Sequence, residues 1–232
     1  LTSAFRFLLA CSLAASLAAC AGGQRNIGPR LAPVANPSAV IATELAFARA
    51  AREQGQWTAF RQFATDNALL FGTNGAFEAQ PWLKKQADPA QAVVWQPFAV
   101  WSSCDGSLAA TSGGYREPEG ATGHFYTVWE RQDNGTYKWI FDFGIPTPLA
   151  PAEPDSISAS IANCKLADKA VAADPALSLR YSADKTLAWA FQMADHTVGH
   201  KAGNGTRTLY VWAAGENVMT LVLEAAANPI AE

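Results

Sequence analysis

No block of like charge runs through this sequence. Lysine and arginine number 17 against 20 aspartate and glutamate, for a formal net charge of −3. A nucleic-acid surface needs clustered basic residues, so no nucleic-acid partner is expected. The apolar run from Phe7 to Ala19 is too short to cross a bilayer as a helix. No zinc signature, phosphate loop, nucleophile elbow or Ser-His-Asp order occurs. His196 and His200 stand four apart beside Asp195, a spacing that holds metal only on a helix. Thr197-Val198-Gly199 and the strand-like runs around them argue against a helix there. Neither a metal nor a cofactor is therefore implied.

Apolar material is plentiful. Half of the 232 residues are hydrophobic and eight are Trp, enough for one large domain, or for a domain with an appendage. The N-terminus reads as a secretory signal: Arg6, the apolar run, then small residues. Its end, Leu17-Ala18-Ala19-Cys20, resembles the bacterial lipobox. That resemblance implies cleavage before Cys20 and lipidation of its thiol, with two or three acyl chains holding the protein to a membrane. Ala21 after the cysteine implies, by the same resemblance, the outer membrane facing the periplasm. Cleavage removes Cys11 and lipid occupies Cys20, which leaves Cys104 and Cys164. In an oxidising compartment these are either a disulfide closing a loop of about 60 residues or two buried free thiols.

The expected organisation is a signal peptide at 1–19, a flexible tether at 20–37, a main domain at 38–149 and an extension at 150–232. A first helix is expected from an N-cap at Ser38, with Ile41, Leu45 and Ala48 inward and Glu44 placed to suit the helix dipole. Gly55 closes it. A second helix carries Trp57, Phe60 and Phe63. Ala68 to Phe71 reads as a short strand, and Glu78 to Gln86 as a short helix. From Trp95 to Pro148 four strands form two hairpins, with Asp133-Asn134-Gly135 as a strong turn signal. Ser156 to Ala173 reads as a helix, followed by strands at Thr186–Met193, Thr206–Trp212 and Val218–Glu224. Asp105-Gly-Ser-Leu-Ala is echoed by Asp184-Lys-Thr-Leu-Ala, and Thr127-Val-Trp129 by Tyr210-Val-Trp212. The echo is either a partial duplication or chance likeness between hairpins.

Phe47-Ala-Arg-Ala-Ala-Arg-Glu-Gln-Gly, Trp57-Thr-Ala-Phe-Arg-Gln-Phe, Asp66-Asn-Ala-Leu-Leu-Phe, Trp95-Gln-Pro, the Asp105-Gly106 hairpin, Thr127-Val-Trp129 and Phe141-Asp-Phe-Gly-Ile-Pro146 stand in this order. Together they resemble the NTF2-like superfamily, in its SnoaL-like, DUF4440-like branch. The resemblance spans about residues 39 to 148. It implies an α+β cone, with a curved antiparallel sheet wrapped on N-terminal helices and a pocket between them. The remaining residues add a C-terminal helix and β-meander. The superfamily hosts enzymes, binding domains and dimerisation domains alike, so the reaction, if any, rests on the site.

A two-residue turn at Asn134-Gly135 pairs Val128 with Phe141, Tyr126 with Phe143 and Glu130 with Trp139. Alternation then puts His124, Tyr126, Val128, Trp139, Phe141 and Phe143 on one face. That aromatic face is expected to line the pocket, with Trp139, Phe141, Phe143 and Val128 as walls. His124 and Tyr126 are its polar tips, one a general acid or base, the other a hydrogen-bond donor to an oxyanion. Asp142, which alternation puts on the other face with Thr127 and Trp129, resembles the acidic residue near the end of the last family strand and completes the catalytic candidates. Three readings follow. One is a lipoprotein whose domain binds a small apolar ligand or a protein partner at the membrane surface. Another is an isomerase-type enzyme using His124, Tyr126 and Asp142. The third is a structural domain that plugs its pocket with its own aromatics and forms a homodimer through the sheet face.

Overall fold

A computed structural model describes residues 34–72, 74–166, 170–198 and 201–227. The signal segment, Cys20, most of the tether and His200 lie outside the described residues, as does the side chain of His196.

Helix α1 spans Pro37–Gln54. Asn36 caps it, accepting from the Ala39 N–H at 3.2 Å, because Pro37 needs no N–H partner at the first helical position. The cap is thus two residues before the expected Ser38. The buried stripe runs through Val40, Glu44, Phe47, Ala48 and Ala51, while Leu45 is 43% exposed. This stripe is rotated from the expected one and carries Glu44 into the core. Helix α2 spans Gln56–Phe63. Its N-terminus is capped from a distance. The Asp88 carboxylate accepts from the Trp57 and Thr58 N–H groups at 2.6 and 3.0 Å and from the Thr58 hydroxyl at 2.6 Å. Those bonds, the Thr58 hydroxyl first, hold the Asp88 carboxyl below the usual carboxylate range. Gly55 joins the helices at φ 108°, and a Cβ there would lie 2.4 Å from the Asp88 carboxyl, so only glycine lets the cap approach.

Strands β1 (Ala64–Gly72) and β2 (Gly75–Glu78) form a hairpin, followed by the short helix α3 (Ala79–Leu83). Strands β3 (Val94–Ser102), β4 (Leu108–Arg116), β5 (Thr122–Arg131) and β6 (Tyr137–Thr147) then meander antiparallel. With β7 (Ser158–Ile161) they build a mixed seven-stranded sheet in the order β2-β1-β6-β5-β4-β3-β7. The helix expected from Ser156 does not form among the described residues. Strand β7 instead pairs in parallel with the open edge of β3. Beyond it, Cys164 is joined to Cys104 in a disulfide at the end of β3. An unpaired strand edge and a covalent tie both favour extension over a Ser/Ala-rich helix with little apolar surface to bury.

The C-terminal strands β8 (Arg180–Tyr181), β9 (Leu187–Val198), β10 (Lys201–Ala214) and β11 (Met219–Ala227) form a second sheet, ordered β11-β10-β9-β8. It repeats the order β6-β5-β4-β3. In the first sheet a bulge falls between Val128 and Trp129, and in the second between Val211 and Trp212. The β3–β4 and β8–β9 turns share one bonding scheme. Ser103 and Ser107 hydroxyls donate to Asp105, and Ser182 and Thr186 hydroxyls donate to Asp184. The turns also clasp each other reciprocally. Cys104 N–H donates to Thr186 Oγ1 at 2.8 Å, and Ala183 N–H to Ser107 Oγ at 2.9 Å. Such exchange of equivalent contacts is how two related units meet about a two-fold, so the sequence echo marks a structural repeat.

Two cores result. One lies between the helices and the first sheet and includes Phe47, Trp95, Trp129 and Trp139. The other lies between the sheets and joins Phe71, Leu108, Val128, Phe141 and Phe143 to Leu187, Trp189, Leu209 and Val211.

Candidate functional site: a carboxylate-floored aromatic cavity

The β5–β6 loop is longer than two residues. Arg131 pairs with Tyr137, and Gln132 N–H donates to Thr136 O at 2.8 Å. The ladder therefore starts one residue out of the expected register, so Glu130 faces Lys138 rather than Trp139. The bulge at Ile140 restores the pairs Val128–Phe141 and Tyr126–Phe143. It also turns Trp139 to the opposite face from Phe141, since one extra residue inverts the alternation.

This changes the site. Val128, Phe141 and Phe143 are fully buried between the sheets rather than lining a pocket under the helices. Trp139 is fully buried on the helix side, packed 6.0 Å from Phe60. Its indole N–H is the one buried side-chain nitrogen or oxygen without a hydrogen-bond partner among the described residues. His124 and Tyr126 lie together on the far face, ring centres 6.2 Å apart, with Tyr126 also 6.2 Å from Phe143. Burial pushes the Tyr126 phenol up. Asp142 points the other way, beside Thr127. The three expected acid–base groups are thus divided between two faces and share no site.

The helix-facing side carries a polar row instead. The register places Thr111 opposite Thr127, and Thr127 opposite Asp142. Thr127 Oγ1 donates to Asp142 Oδ2 at 2.8 Å. Thr111 Oγ1 donates to Glu44 Oε2 at 2.7 Å, and Trp129 Nε1–H donates to Thr111 Oγ1 at 3.0 Å. Trp95 Nε1–H donates to Glu44 Oε1 at 2.8 Å. Glu44 is completely buried. Desolvation pushes its carboxyl up to about 7, against the lowering effect of Thr111 and Trp95, and the neighbouring Asp142 adds to the rise. Burial likewise raises Asp142 to about 6, opposed by the Thr127 bond. Both carboxyls are therefore raised towards neutrality from the ordinary carboxylate range.

A cavity of about 200 Å³ opens over this row. Asp142 and Gly144 of β6 form part of its wall, with Phe125 of β5, Tyr115 of β4 and Trp95 of β3. Helices contribute Phe47, Phe60 and Gln56. Gln56 also fixes the entry to β3, its Oε1 accepting from Val93 N–H at 2.9 Å. Phe47, Phe60 and Trp95 pack edge to face, centroids 4.8 to 6.0 Å apart, a favoured arrangement for aromatic quadrupoles. Two glycines make room for the strand aromatics. A Cβ on Gly113 would lie 2.5 Å from the Phe125 ring, and one on Gly123 would lie 2.5 Å from the Tyr115 ring. Among the described residues no group of three or more His, Cys, Asp or Glu is arranged to hold a metal.

Of the residues named from sequence, Asp142 lines this cavity, and Glu44 was not among the candidates. The signal for Glu44 was a carboxylate at helical spacing between Val40 and Phe47, facing a sheet rich in Trp and Thr.

No protein-family model and no curated protein matches the sequence. Solved structures do. A proposed ketosteroid isomerase from Parabacteroides distasonis matches at 15% identity and TM-score 0.39, covering 54% of this chain and 98% of that one. An NTF2-like protein of unknown function from Pseudomonas putida matches at 13% and 0.36, covering 50% and 95%. Nuclear transport factor 2 from Cryptosporidium parvum matches at 13% and 0.37, covering 49% and 98%. These neighbours are NTF2-like, and the chain described above is α+β, with N-terminal helices against a large mixed sheet.

Proposed function

We propose that this protein is a lipid-anchored envelope protein whose NTF2-like domain binds a small, largely apolar molecule in the cavity between helices and sheet. The observation that carries the reading is the cavity itself: aromatic walls with two carboxylates, Asp142 and Glu117, among the lining residues. Pockets of this make-up bind by apolar burial and orient through a few polar groups. The Cys104–Cys164 disulfide is consistent with an oxidising compartment. The lipobox-like Leu17-Ala18-Ala19-Cys20 motif supplies the anchor.

Native mass spectrometry of the protein from Cys20 onward, purified from cell envelopes, tests the binding reading. A small molecule retained by the native protein and lost from Phe125→Trp, which fills the cavity, is the expected result. Incorporation of labelled palmitate that disappears in Cys20→Ala tests the anchor.

A second reading is favoured by one specific observation. A carboxyl raised to about 6 at a cavity wall suits a general base working near neutral pH. In that reading Asp142 acts without His124 or Tyr126, and kcat/KM for any substrate found would fall by orders of magnitude in Asp142→Asn. The sheet-face homodimer has no such support, since the second sheet covers the face it would use.

A further inference from the structure

We propose that the ligand of this cavity is a small organic cation, a methylated ammonium whose alkyl groups meet the aromatic walls while its charge faces Asp142. This rests on the binding reading above and names its ligand class. The walls provide the faces and edges of Phe47, Phe60, Trp95, Tyr115 and Phe125, and the charged groups among the lining residues are Asp142 and Glu117. No lysine, arginine or histidine is among them. Aromatic rings attract cations through their quadrupoles, most strongly when water is excluded, and quaternary ammonium groups suit such walls because their methyls need no hydrogen-bond acceptors. An anionic ligand, or one that develops an oxyanion, would meet two carboxylates and no donor stronger than Gln56 or the Tyr115 hydroxyl. The space holds about half a dozen waters at the roughly 30 Å³ each occupies in the liquid, which suits a small headgroup rather than a polycyclic skeleton.

The groups that face Asp142 strengthen the case. Glu44 on α1 repels its charge. Tyr115 and Glu117, at the end of β4 and just beyond it, share the cavity with it. Thr127 on β5 gives it a single hydrogen bond. No compensating cation lines the cavity, so the empty site carries a carboxylate whose ionisation burial opposes. A bound cation relieves that penalty. When the acid form is occupied at low pH, the cation enters as the Asp142 proton leaves to solvent, so charge balances. Affinity is therefore expected to fall as pH drops through about 6.

The test is calorimetric titration of the full soluble chain with choline and with 3,3-dimethylbutan-1-ol, its neutral isostere. Choline is expected to bind at least about ten-fold more tightly than the alcohol at pH 7.5, and to weaken about ten-fold by pH 5, one unit below the Asp142 value. Asp142→Asn, which keeps the shape, is expected to remove most of the choline affinity and leave that of the alcohol unchanged. If the alcohol binds as well as choline, the cation inference falls and the apolar-ligand reading stands. If neither binds while circular dichroism shows a folded chain, both fall. If choline binds equally at pH 7.5 and pH 5, or equally to Asp142→Asn, the role given to Asp142 is overturned.

Discussion

The two faces of the first sheet are made by the same strands and do opposite work. On the side of the second sheet, Val128, Phe141 and Phe143 meet Leu187, Trp189, Leu209 and Val211 without a buried carboxylate. On the helix side the alternating residues are Thr111, Thr127, Trp129 and Asp142, joined by Glu44 from α1, and a cavity remains. That inter-sheet layer is packed mainly by apolar side chains, with Arg207 buried against Phe71 and Phe143, and chiefly gives stability. A buried polar row costs stability and gives a place where charge can be recognised. Stability and recognition are thereby assigned to different sides of one sheet.

The largest expected effect is on the filled side. Phe141→Ala empties the space among Phe71, Trp189 and Phe191, whose rings lie 5.1 to 5.6 Å from it. It should lose about 3–5 kcal/mol in denaturant unfolding. Ligand affinity of the fraction that remains folded should be unchanged. An equal loss of affinity would mean that the two sides are not separable.

Next is the disulfide at the edge of the first sheet. The disulfide closes a loop spanning 60 positions, and its loss in the Cys104→Ser, Cys164→Ser pair should cost about 4 kcal/mol on chain-entropy grounds. Since β7 hangs on the edge of β3 beside it, hydrogen exchange should rise in 158–161 before it rises in β5 or β6. Uniform acceleration across all strands would count against that order.

Why the two sides exchanged places relative to sequence expectation can be traced to particular residues. The first helices, the four meandering strands and the last three strands were legible, because Pro37, Gly55, Asn134-Gly135 and the alternation of apolar residues are local signals, although the cap fell to Asn36 rather than Ser38. The pairs Val128–Phe141 and Tyr126–Phe143 form as expected only because the bulge offsets the error of the assumed two-residue turn. What was hidden was the bulge at Ile140, which moved Trp139, and the partner of each face, which depends on a sheet eighty residues away. His124, Tyr126 and Phe143 form an aromatic face whichever side the helices take. Glu44 was read as a dipole partner because a glutamate early in a helix is usually exposed, and its burial follows from the indole and threonine partners that only the fold assembles. The expected helix at 156–173 failed for the same reason: an open strand edge is a tertiary fact.

On the recognition side, Glu44 offers a sign as well as a size. Its carboxyl is raised in the folded chain to about 7, from 4.5, so the native state binds a proton that the unfolded state has released. Its favourable contribution is complete below about 4.5 and declines as pH rises towards 7. The decline is at most about 3 kcal/mol. Glu44→Gln imitates the acid form, its carbonyl accepting from Trp95 and its amide donating to Thr111. The variant should unfold at nearly constant denaturant concentration from pH 4.5 to 8 in this respect, and exceed the wild type above pH 7. A wild-type midpoint that does not fall across that window relative to the variant would remove Glu44 from the account.

The smallest expected effect tests how the helix layer is fastened over the cavity. Asp88 stabilises α2 from outside, through three bonds to Trp57 and Thr58. Asp88→Ala should cost about 1 kcal/mol, as losses of N-caps do. Its pH dependence has the opposite sense to that of Glu44. The Asp88 carboxyl is lowered in the folded chain, so its contribution is present above the ordinary carboxylate range and disappears as pH falls below it. At pH 7 the variant should therefore be weaker than the wild type, and at pH 2.5 the difference should shrink. Because α2 carries Gln56 and Phe60 into the cavity wall, a loosened α2 should also raise ligand dissociation modestly. A change in stability without any change in dissociation would show that the cavity is held by α1 and the sheet alone, with α2 only resting upon it.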